Sequence, residues 1–148
     1  MARGEGTQSQ PLPGCAATDR VGAARLAARH HAPPPLLLDV RTPEEFSDEH
    51  LEGAVRVDPV GDALRRLRQR PAVVSAVLYC SVGQRSSALA DALLARGVGS
   101  IQNLEGSLFE WANEGQPVVA SDGRTGKVHP YDREWGVLLR RELWSRAP

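Results

Sequence analysis

The sequence predicts an α/β fold, an open and mostly parallel sheet with helices on both faces. Two apolar segments without alternation, "LLLDV" at 36–40 and "AVVSAVLYC" at 72–80, have the composition of strands buried on both sides. Helical patterns stand between the extended segments, so strand and helix alternate along the chain. Prolines and glycines punctuate the alternation, with Pro71, Gly97 and Gly115 each at the end of a helical stretch.

Taken in order, residues 1–17 are polar and rich in Gly and Pro and read as a disordered leader. Thr18 or Asp19 is placed to cap a helix running to about Arg29, with Val21, Ala24, Leu26 and Ala28 inward. Prolines 33–35 stop it, and Leu36 to Val40 forms the first buried strand. In "RTPEEF" Thr42 is a good N-cap, Pro43 suits the first helical position, and Glu44 and Glu45 favour the positive end of the helix. That helix is short, because Ala54 to Val57 is extended again. Gly61 to Arg70 follows as a helix with Leu64 and Leu67 inward. The second buried strand ends at Cys80, and Ser86 to Arg96 is a helix with Leu89, Leu93 and Leu94 on one face. "SIQNLEG" supplies a further strand and "SLFEWANEG" a helix from Ser107 to about Glu114, in which Trp111 reads as core. Tyr131 to about Ser145 has the stripe of an amphipathic helix, through Trp135, Leu138, Leu139 and Trp144.

Bulk properties exclude several function classes. Eighteen basic and eighteen acidic side chains balance, so net charge points to neither nucleic acid nor a membrane. The densest basic run, Arg65, Arg66, Arg68 and Arg70, falls on a helix and reads as its solvated face; RNA binding would want aromatics interleaved. No run approaches the roughly 20 apolar residues that span a bilayer, and the first residues have no apolar core of a secretory signal. Of the two cysteines, Cys15 lies in the leader and reads as a spectator, which favours free thiols and a cytoplasmic location. His129 has no partner at ligand spacing, so neither a metal nor another cofactor is expected.

The chemistry concentrates at "YCSVGQRSS". A strand end, a loop containing Gly83 and a helix start together make an anion site, because loop amides and the helix N-terminus point partial positive charge outward. A thiol placed there is stabilised as thiolate and needs no histidine base. Gly83 lets the loop curl, Arg85 offers a bidentate fork for an oxyanion, and Ser86 can cap the helix and donate a hydrogen bond. Cys80 is therefore the candidate nucleophile, with Ser81, Val82, Gly83, Gln84, Arg85 and Ser86 as candidate substrate-binding residues.

Residues 36–57, "LLLDVRTPEEFSDEHLEGAVRV", then "YCSVGQRSSALADALLARG" and "IQNLEGSLFEW" resemble a single rhodanese (sulfurtransferase-type) domain over about residues 18–120. Residues 121–148 are then an extension, expected to be helical and packed on the domain. The resemblance implies a thiosulfate sulfurtransferase-type enzyme. Its Cys80 takes sulfane sulfur from a small anionic donor as a persulfide, then passes it to cyanide, a thiol or a protein acceptor. It also implies that Asp39 and Arg41 brace the site and that His50 has a conformational role. Related phosphatases and arsenate reductases carry one residue more between cysteine and arginine. The four here, Ser81 to Gln84, resemble the sulfur-handling type. Arg85 is the loop's only charge, so thiosulfate and a persulfide handed over by a thiol or protein stand as equal donors. A rhodanese-like binding or regulatory module, docking a partner through the Trp-bearing tail, is the alternative function.

Overall fold

The computed structural model describes residues 19–27, 34–71, 74–122 and 127–145. The leader with Cys15, the Thr18 cap, and the helix end at Ala28 and Arg29 lie outside the described residues. Five parallel strands form one open sheet: β1 (Asp19–Val21), β2 (Leu36–Asp39), β3 (Val55–Arg56), β4 (Ala76–Tyr79) and β5 (Ile101–Leu104), in the spatial order β1-β5-β4-β2-β3. Tyr79 sits opposite Asp39, and Val21 opposite Leu104. The chain between strands folds as α1 (Ala23–Ala27), α2 (Pro43–Asp48), α3 (Pro59–Gln69) and α4 (Gln84–Ala95), and α5 (Ser107–Asn113) follows β5.

The strands divide the interior by their two-residue period. From β4, Val77 and Tyr79 join one core cluster with Leu26 of α1 and Leu108, Phe109 and Trp111 of α5. Ala76 and Leu78 face the opposite way, into a cluster with Ala63 and Leu67 of α3 and Ala90 and Leu93 of α4. Helices thus cover both faces, as the sequence predicts. Each leucine fully buried here, Leu78 and Leu93 among them, contributes roughly 1.5–3 kcal/mol. The arginine run of α3 is its outer face, where Arg65 and Arg66 pair with Asp62.

Three elements outside the Cys80 loop and its helix differ from the sequence expectation. Asp19–Val21 is a strand, not the first turn of a helix: it completes the sheet edge beside β5, and Val21 is buried in the core. The helix of this region starts only at Ala23, past Gly22. Helix α3 begins at Pro59, two places before Gly61, because proline suits the first turn. The single helix expected over Tyr131–Ser145 is replaced by one short turn, α6 (Arg133–Gly136), and a 3-10 turn at Arg141–Leu143. Arg140, with ψ 130°, breaks the helical path between them, and the segment pairs with itself through a bridge of Val128 to Trp144. Val128 and Leu139 enter the core, with Trp135 and Trp144 packed against it.

Candidate active site

Cys80 follows the last residue of the central strand β4 and is 1% exposed. Its sulfur receives two donors: the Gly83 N–H at 3.1 Å and the Ser86 hydroxyl at 3.5 Å. Gly83 has φ 109°, in the left-handed region that a side chain resists, and this residue turns the loop into α4. Helix α4 accordingly starts at Gln84, ahead of the Ser86 the sequence suggested, and Ser86 is not its N-cap. Freed from that task, the Ser86 hydroxyl contacts Gly83 O at 3.2 Å as well as the sulfur.

The loop carbonyls are held from behind. Leu108 N–H and Phe109 N–H of α5 each donate at 3.0 Å, to Cys80 O and Ser81 O. The Ser107 hydroxyl oxygen accepts from Cys80 N–H at 3.2 Å. With carbonyls drawn toward α5, the loop curls around the sulfur side.

The remaining loop residues play different parts. Ser81 is buried, Val82 packs against the first core cluster, and Gln84 is exposed. Arg85 is 31% exposed at its side chain, and its fork is already engaged: Nη1 and Nη2 each donate to Glu45 at 2.9 Å, and Nη2 donates to Ser81 Oγ at 2.9 Å. The partner expected of that fork was a substrate oxyanion. Helix α2 instead delivers a carboxylate from the chain itself.

Sequence reasoning had not placed Glu45 in the site. Its backbone and side chain close a reciprocal cap with Thr42, the carboxylate accepting from Thr42 N–H and hydroxyl at 2.9 Å each. The signal was the T-x-x-E spacing in "TPEE", which points the carboxylate back across the helix start. Burial works to raise the Glu45 pKa, but hydrogen bonds from Arg85 and Thr42 and the Arg85 charge outweigh it, leaving it at about 2. The same pairing outweighs burial at Arg85 and raises its pKa.

Asp39, opposite Tyr79 on the strand beside β4, and Arg41 do not contact the sulfur in any described hydrogen bond. They form a fully buried pair, with Arg41 Nε donating at 3.0 Å and Nη2 at 2.7 Å to the carboxylate. Arg41 Nη2 also donates to Glu49 O. The guanidinium lies 5.9 Å from the Tyr79 ring centre, and the Tyr79 hydroxyl accepts from Leu51 N–H at 3.1 Å. His50 stacks on Phe46, ring centres 3.8 Å apart, and its Nδ1 meets Phe46 O at 2.7 Å. Among the described residues no three His, Cys, Asp or Glu side chains gather at metal-binding spacing, and no helix is long and apolar enough to cross a membrane.

Comparison with known proteins agrees with this architecture. A sulfurtransferase of Allochromatium vinosum is 34% identical over 88 residues, covering 60% of this chain and 81% of that protein. A probable adenylyltransferase/sulfurtransferase of Mycobacterium tuberculosis is 34% identical over 85 residues, but the match spans only 21% of its length. Among solved structures, a rhodanese-related protein from Thermoplasma volcanium superposes with a TM-score of 0.56 at 27% identity, over 68% of this chain and 97% of that one. The family model described as a rhodanese-like domain matches residues 22–114. Five parallel strands, a cysteine at the end of the central one and this match together make the chain a member of the rhodanese-like domain family, which includes sulfurtransferases.

Proposed function

We propose that this chain is a sulfurtransferase in which Cys80 carries the sulfur. The observation that supports it best is the buried sulfur at the end of β4 receiving Gly83 N–H at 3.1 Å and Ser86 Oγ at 3.5 Å. Fixed donors aimed at sulfur stabilise the negative charge that it carries before and after transfer. In the first half-reaction the Cys80 thiolate attacks the outer sulfur of the donor. The donor's bond to that sulfur breaks, and a sulfite or thiolate leaves with the electron pair. In the second, a thiol or cyanide acceptor attacks the outer sulfur of the Cys80 persulfide and regenerates the thiolate. The backbone from Ser81 to Arg85 cradles the transferred sulfur, and Gln84, the exposed loop side chain, meets the incoming molecule. Arg85 shapes the loop through Glu45 and Ser81, while Asp39 and Arg41 hold the floor. The cytoplasm suits such chemistry, since thiols stay reduced there.

Intact mass after incubation with thiosulfate tests the proposal. A gain of one sulfur atom, mapped to Cys80 and removed by cyanide, is expected. Cys80→Ser should abolish both the gain and turnover while its thermal melt stays near wild type. Turnover surviving in that variant would refute the assignment.

A further inference from the structure

The C-terminal segment returns to the active-site loop. Lys127 N–H donates to Glu49 Oε1 at 2.9 Å, and Asn113 clasps the far end, donating to Leu138 O and accepting from Arg140 N–H at 2.8 Å each. Between these anchors Tyr131 has φ 71°, the left-handed region that a bulky residue rarely adopts. Its N–H donates to His129 Nδ1 at 3.0 Å, which supports the turn. Core burial does not account for the conformation, because Tyr131 is 41% exposed. What the turn achieves is a contact: the Tyr131 ring lies over Arg85, 4.4 Å from ring centre to Cζ. Arg85 is thus held on two sides, its edge by Glu45 and Ser81 and its face by the tail.

We propose that Tyr131 determines donor specificity, pinning Arg85 against Glu45 so that the site favours an organic hydropersulfide over the thiosulfate dianion. The inference rests on the sulfurtransferase reading and deepens it. Arg85 is the only charged residue from Ser81 to Arg85, and Glu45 cancels its charge. A dianion approaching an anionic nucleophile therefore gains little from Arg85, whose charge Glu45 already balances. A hydropersulfide reacting in its protonated form brings none of that repulsion, and its organic group can lie against the exposed aromatic ring. The step is balanced: the Cys80 thiolate and R–S–SH give Cys80–S–SH and R–S⁻. The donor S–S bond breaks as the new one forms, the proton stays on the outer sulfur, and the electron pair leaves with R–S⁻. Pinning matters because Arg85 could serve thiosulfate only by turning its fork away from Glu45, and the ring opposes that rotation.

Single-turnover loading of Cys80, followed by intact mass, tests this with thiosulfate and 2-hydroxyethyl hydropersulfide as separate donors. Tyr131→Gly is the informative variant, since it removes the ring while suiting the left-handed backbone, so folding is not endangered. Wild type should load faster from the hydropersulfide. In Tyr131→Gly that preference should narrow about two- to fivefold, the factor a partly exposed cation–π contact carries, chiefly through faster loading from thiosulfate. Tyr131→Phe should keep the wild-type preference, because the ring face makes the contact. A wild-type preference for thiosulfate, an unchanged ratio in Tyr131→Gly, or a Phe variant that behaves like Gly would each overturn the role. If wild type loads from both donors and only the ratio is insensitive, the specificity inference fails alone. If neither donor loads Cys80, the sulfurtransferase reading fails with it.

Discussion

Replacing Glu45 with glutamine removes one charge and almost no volume, so it isolates the electrostatic part of the loop clamp. The carboxylate accepts from both Arg85 terminal nitrogens, from the Ser81 hydroxyl at 3.2 Å and from Thr42. Burial alone would push its pKa up; the hydrogen bonds from Arg85 and Thr42 and the Arg85 charge bring it from 4.5 to about 2. That depression corresponds to on the order of 3 kcal/mol of folding stability. Because Arg85 is 31% exposed, water screens part of the attraction, and glutamine keeps one acceptor oxygen. The expected loss at pH 7 is therefore about 2 kcal/mol, or roughly 4–8 °C in Tm for a chain of this length. The folded pKa lies below the unfolded one, so the stabilisation is complete above about 4.5 and disappears as pH falls toward 2. Urea denaturation of wild type and Glu45→Gln across that range reads it directly. The gap between the two proteins should close as pH falls. A gap that stays constant with pH, or one below about 0.5 kcal/mol at pH 7, would refute the reasoning.

Two further outcomes concern the floor of the site. Asp39→Ala strands the Arg41 guanidinium, whose Nη1 already has no hydrogen-bond partner among the described residues, and should cost about 3–5 kcal/mol in urea denaturation. The double variant Asp39→Ala with Arg41→Met should cost less than the sum of its two single variants; strict additivity would contradict the account. Burial pushes the Glu49 carboxyl up to about 7, only partly offset by the Lys127 N–H. Its folded pKa exceeds the unfolded one, so wild type loses stability as pH rises from 4.5 through about 7. Glu49→Gln should be more stable than wild type at pH 8 and close to it near pH 4.5, and no gain at pH 8 would sink the claim.

Most of the architecture was legible because local patterns carried it. Non-alternating strands at 36–40 and before Cys80 announced a sheet covered on both faces, and the loop chemistry singled out Cys80. What escaped depends on partners distant in sequence. A three-residue strand such as Asp19–Val21 has too few positions to show a period, and it exists only because β5 offers an edge. The clamp of Glu45 on Arg85 joins two motifs that, read separately, each looked complete: one an N-terminal helix charge, the other an anion receptor. The tail misled for a similar reason. Its apolar residues fit a helical stripe, yet the bridge of Val128 to Trp144 lets Trp135, Leu139 and Trp144 reach the core without one, while Leu138 stays exposed.

The order of the strands also governs the order in which the protein can assemble. The cluster around Leu38, Leu78 and Leu93 draws on residues from Leu38 to Ile101 and can condense while the chain is still emerging. The opposite cluster joins Val21 to Leu104, Leu108 and Leu139, contacts that require closing most of the polypeptide into a loop. The Cys80 loop is tied to this second cluster, since its carbonyls accept from the amides of Leu108 and Phe109. The mature loop geometry therefore depends on α5, whose amides hold the carbonyls of Cys80 and Ser81.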